Sequence, residues 1–96
     1  MILVIGDVTL RPDAVAEALA ISREHVERSR TEHGCVSHDV HRDTEDPNRI
    51  VFVERWIDHD ALMAHFAIPA SNEFARALTA LSSQRPKVDI YEAEKA

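Results

Sequence analysis

Glu54 lies mid-strand between Val53 and Arg55, sharing its alternation with Phe52 and Trp56, and His65 follows the tryptophan by nine residues. In a strand, that alternation sends the Glu54 carboxylate into an apolar layer. An unpaired charge is strongly disfavoured there, so a partner is expected. His65 is the candidate. A buried carboxylate that fixes the tautomer and orientation of an imidazole makes a general base. Such a pair can take a proton from a bound substrate. The competing reading is that Glu54 and His65 simply tie a helix to the sheet.

Trp56 has the parity of Glu54 and offers a flat wall to an aromatic ligand. Phe52, Phe66 and Phe74 extend that wall, and His38, on the parity of Val36 and Val40, reaches toward the same place. Each of these aromatic residues also serves as ordinary core. Six histidines invite a metal, but His38 and His41 fall on opposite strand faces, and His25 and His33 are eight residues apart. No His-x-x-x-His or Cys-x-x-Cys spacing occurs, so no metal ligands and no bound cofactor are expected. Cys35 reads as a small buried hydrophobe. Two glycines, Gly6 and Gly34, are too few for a phosphate-binding loop.

Six elements are needed to position these residues. Met1 to Thr9 is β-branched and apolar on both parities, a buried strand. Arg11-Pro12-Asp13 starts a helix running to about His33, with Val15, Leu19 and Val26 as a narrow apolar stripe and Gly34 as its stop. Cys35 to Arg42 and Arg49 to Ile57 alternate as strands around the polar turn Asp43 to Asn48, an antiparallel hairpin. Asp58 caps a short helix to about Phe66, which Ile68-Pro69 interrupts. A second helical segment spans about Ala70 to Ser83 with Phe74, Leu78 and Leu81 in phase. Val88, Ile90 and Tyr91 mark a last strand. The order β-α-β-β-α-β predicts an α+β, ferredoxin-like fold: a four-stranded antiparallel sheet with helices on one face. Both parities of the first and third strands are apolar, so the bare face needs a cover, and a second copy packed about a two-fold axis supplies it.

Ninety-six residues fit one domain, 1–96. A domain of this size buries only about 60–65% of its unfolded surface, which adds weight to a homodimer. The net charge of −6 and a pI near 5.4 argue against nucleic acid or an anionic membrane as partner. No apolar run is long enough for a signal peptide or a membrane span, and the single Cys35 has no internal disulfide partner. A soluble, cytoplasmic protein is the expectation.

With these residues in view, the chain resembles the antibiotic biosynthesis monooxygenase domain family, part of the dimeric α+β barrel superfamily. The matching pieces are Gly34-Cys35 opening the second strand, the acidic turn Asp43 to Asn48, and the strand Val51 to Trp56. After them come Asp58 to Leu62, His65, Ser71 and Phe74. It departs from the family's common pattern in carrying His38 where a Tyr is usual, and in lacking a second His after His65. The resemblance implies a cofactor-independent monooxygenase that acts with dioxygen on a phenolic, polycyclic or quinol small molecule. Two alternatives accompany it: an isomerase or degradative enzyme for a small oxygenated metabolite, and a non-catalytic small-molecule-binding module of the stress response.

Overall fold

The computed structural model describes all residues, Met1–Ala96, and has the expected order of elements. They are β1 (Ile2–Thr9), a 3-10 turn (Pro12–Ala14), α1 (Val15–Ser29), β2 (Cys35–Arg42), β3 (Arg49–Trp56), α2 (His59–Ala67), α3 (Pro69–Leu81) and β4 (Lys87–Glu92). The strands form one antiparallel sheet in the order β2-β3-β1-β4. No helix is long and apolar enough to cross a membrane.

The predicted first helix is shorter than its periodicity suggested. Its opening turn is 3-10, set by Pro12, and regular helix ends at Ser29. From there the chain winds on by tight turns, with the Thr31 N–H on the Arg28 carbonyl and the Glu32 N–H on the Ser29 carbonyl. Gly34 then reverses it at φ +81°, a conformation that a side chain resists. A Cβ on Gly34 would also lie 2.5 Å from the Ala61 Cβ. Only glycine therefore lets this turn sit against α2. Pro69 opens α3 at its first position, where a missing N–H does no harm. That helix stops at Leu81, because Ser82 turns extended and bridges to Leu10.

The stripe expected on α1 is also displaced. Its inward residues are Ala18, Ser22, His25, Val26 and Ser29, whereas Val15 and Leu19 only flank the core. Small side chains let the helix approach the sheet closely, and His25 enters with them.

On β3, Ile50, Phe52, Glu54 and Trp56 all point under the helices, opposite Val8, Gly6, Val4 and Ile2 of β1. The apolar core is divided in two. One cluster gathers Val8, Leu10, Ala18, Val26, Ile50, Phe52 and Leu78. The other holds Ile2, Val4, Trp56, Ala61 and Leu62. Glu54 lies between Phe52 and Trp56 on β3, so a polar layer separates the clusters. The opposite face carries Leu3, Ile5, Val51 and Val53, all half-buried, with no element of the chain over them.

Candidate functional site

Between the sheet and the helices lies a cavity of about 480 Å³, inside the size range of small-molecule pockets. β1 gives Gly6 and Val8 to its wall, and β3 gives Phe52 and Glu54. His25 comes from α1, His65 and Phe66 from α2, and Ser71, Phe74 and Leu78 from α3. Arg85 and Val88 stand at the β4 side. Gly6 makes room for an aromatic ring, since a Cβ there would meet the Phe52 Cβ at 3.3 Å. The aromatic lining is ordered: Phe52 and Phe74 meet edge to face at 5.9 Å, and His25 stacks on Phe74 at 3.9 Å.

Five of the seven residues singled out in the sequence, Glu54, His65, Phe52, Phe66 and Phe74, line this cavity. Phe66 sits at its rim, 39% exposed. Trp56 and His38 do not line it. They are 0% and 1% exposed and pack behind the wall, because the Glu54 level of β3 and its partner position on β2 lie beneath α1 and α2. Trp56 is thus core, and its ring centre approaches that of His65 at 4.7 Å.

The expected direct Glu54–His65 pair is not formed. His65 Nδ1 lies 2.8 Å from Oε1 of Glu32, on the turn that follows α1. Glu54 is held instead by its own neighbours: the Trp56 Nε1–H donates to Oε1 at 3.0 Å, and His38 Nε2 lies 3.3 Å from the same oxygen. Register explains the exchange, since His38 is the direct cross-strand partner of Glu54. Burial pushes the Glu54 carboxyl upward, but the adjoining His38 ring and the Trp56 N–H outweigh it and hold the group below the usual range.

Three residues of the site escaped the sequence reading: His25, Glu32 and Arg28. Arg28 donates through Nη2 to His25 Nδ1 at 3.1 Å and to the Ser71 hydroxyl at 2.8 Å. Its Nε lies 3.7 Å from Glu32 Oε2. Burial, aided by the neighbouring His38, His65 and Arg28, pushes the His25 pKa down to about 3, so this imidazole is neutral. The missed signal was the inward phase of Ala18, Ser22, His25 and Ser29 on the helix; nothing local marks Glu32. His25, His38 and His65 come together from three elements, with ring centres 5.2 to 5.8 Å apart.

His65 also borders a second cleft of about 390 Å³ with Glu32, His33, Asp58 and Asp60. The Glu32–His65 pair thus stands between the aromatic cavity and an acidic cleft at the N-terminal end of α2, where Asp58 caps the helix through the Ala61 N–H.

A sequence model described as antibiotic biosynthesis monooxygenase matches residues 1–77. An uncharacterized protein of Synechocystis sp. is 33% identical over 90 residues, which span 94% of this chain and 61% of that protein. A crystal structure described as an antibiotic biosynthesis monooxygenase superimposes with TM-score 0.91 at 32% identity, over 99% of this chain and 100% of the other. SnoaB, a cofactor-independent oxygenase from Streptomyces nogalater solved in a mutant form, superimposes with TM-score 0.87 at 25% identity, over 99% and 94% of the two chains. By both sequence and fold, the chain belongs to the antibiotic biosynthesis monooxygenase family.

Proposed function

We propose that this protein is a cofactor-independent monooxygenase for an electron-rich phenol or quinol, with His65 as the base and Glu32, rather than Glu54, as the carboxylate that orients it. The observation that carries this reading is His65 on the wall of an aromatic-lined cavity with its Nδ1 engaged by Glu32. An Nδ1–H held by a carboxylate leaves Nε2 as the free lone pair, the arrangement of an oriented general base. The phenyl walls of Phe52, Phe66 and Phe74 suit a flat, polycyclic substrate.

His65 takes the phenolic proton, and the phenolate gives an electron to dioxygen. The two radicals combine at a hydrogen-bearing ring carbon ortho or para to the oxygen. Loss of water from the resulting hydroperoxide leaves a quinone. One oxygen atom enters the product, the other leaves as water, and the substrate supplies all the electrons. The His65 imidazolium returns its proton to the peroxide as that forms, so no net proton leaves the site.

The test is oxygen uptake with anthrone-type and hydroquinone substrates under heavy-oxygen gas. One labelled atom per product is expected, and His65→Gln is expected to lower kcat by about 10²–10⁴-fold, the usual contribution of a general base. Turnover of the same substrates to unlabelled products would overturn the reading, as would full activity in His65→Gln.

We propose further that the bare sheet face is covered by a second copy of the chain. Leu3, Ile5, Val51 and Val53 form an apolar band there, flanked by Asp7 and Arg49, and a self-complementary sheet-on-sheet contact is what such a face fits.

A further inference from the structure

We infer that His25, His38 and His65 form a binding site for one late first-row divalent metal ion of the zinc class. The inference starts from His38. This ring is 1% exposed, yet its Nδ1 has no hydrogen-bond partner and its Nε2 has only the Glu54 carboxylate at 3.3 Å. A buried polar group left in that state is disfavoured by about 1–3 kcal/mol, and an ion supplies the missing partner.

Geometry supports it. One ligand nitrogen from each histidine lies within 4.8 Å of the others. Imidazoles bound to one ion at tetrahedral angles and zinc-like bond lengths have ring centres about 5.3 Å apart; here the separations are 5.2, 5.2 and 5.8 Å. Glu54 Oε1, 3.3 Å from His38 Nε2, sets a negative charge beside the three rings.

The surroundings are those of metal ligands. Glu32 holds Nδ1 of His65 and leaves Nε2 free, and the Trp56 N–H orients the Glu54 carboxylate. Three imidazoles suit zinc, cobalt, nickel or copper rather than magnesium or calcium.

Coordination through His25 Nδ1 requires Arg28 to move, because its N–H occupies that atom. Its place is prepared. Arg28 Nε and Glu32 Oε2 are both buried without partners and lie 3.7 Å apart. A small swing of the guanidinium toward Glu32 satisfies both as the ion arrives.

A bound ion occupies the lone pair that proton transfer at His65 requires, so loading silences that role. The inference nevertheless stands apart from the oxygenase reading. Its test is titration of the untagged, metal-free chain with Co²⁺, followed by displacement with Zn²⁺ and by calorimetry. One ion per chain and the intense visible bands of four-coordinate cobalt are expected. His38→Gln and His65→Gln are each expected to weaken binding more than about 100-fold, and Glu32→Gln about 10–100-fold. A variant with His41 and His59 both replaced by Gln leaves binding unchanged. The near-ultraviolet circular dichroism of each variant reports whether it is folded, and the two ligand variants are independent of one another. Absence of stoichiometric cobalt binding overturns the inference, as does binding that survives in the folded ligand variants or is lost with the surface histidines.

Discussion

Replacing Gly34 by Ala tests how the site is assembled, because this residue reverses the chain two positions after Glu32 and just before β2. Two separate penalties follow from the structure. At φ +81° an L side chain meets the left-handed steric cost, about 1–2 kcal/mol. The new methyl carbon would also overlap the Ala61 Cβ at 2.5 Å and the Ile57 Cγ1 at 2.8 Å. Ile57 is half exposed and can rotate away, but Ala61 is backbone-fixed on α2. Overpacking of that kind adds about 1–3 kcal/mol. The expected loss is therefore about 2–5 kcal/mol by urea unfolding, with the Glu32–His65 contact loosened in the folded fraction. Ala61→Gly removes the overlap but not the dihedral strain. In that background the same Gly34→Ala change is expected to be worth only about 1–2 kcal/mol, a coupling that a double-mutant cycle measures. A loss below about 1 kcal/mol in both backgrounds would refute the left-handed turn. Equal losses in both would refute the overlap with α2.

Other outcomes follow from the same structure. Trp56→Phe removes the indole N–H from the buried Glu54 carboxylate. It is expected to destabilise the fold by about 1.5–3 kcal/mol, the worth of a hydrogen bond to a charged group, read from the shift of the urea midpoint. Arg49 makes a forked pair of bonds to Asp7 at 2.9 and 2.8 Å and a third to Asp43 at 2.9 Å. The Arg49 hydrogen bond holds the Asp7 carboxyl below its ordinary value, and the Glu45 N–H together with Arg49 does the same for Asp43. Their stabilisation is complete above the unfolded carboxylate pKa, about 4, and is lost as pH falls through the depressed folded values. Asp7→Asn is accordingly expected to flatten the acid limb of the stability–pH curve, and an unchanged limb would refute the assignment. Val53→Glu places a charge on the bare sheet face and is expected to convert a dimer to a monomer in sedimentation equilibrium. A wild-type chain that sediments as a monomer would overturn the covered face.

Local sequence determined the elements and their faces. Alternation on Arg49 to Trp56 placed Glu54 under the helices, and Asp58 and Ile68-Pro69 marked where α2 begins and where it gives way to α3, because capping and φ preferences act within a few residues. The whole-chain resemblance carried the family. Only the tertiary structure decided which acid holds which base. His65 and Glu32 are 33 residues apart and meet because the turn at Gly34 folds back beside α2. Glu54 goes to His38 because strand register sets them opposite each other. His25 looked unpartnered along the chain, since the phase of α1 follows its small residues rather than Val15 and Leu19. Periodicity is a property of one element, whereas the pairing of charges depends on where separate elements come to rest.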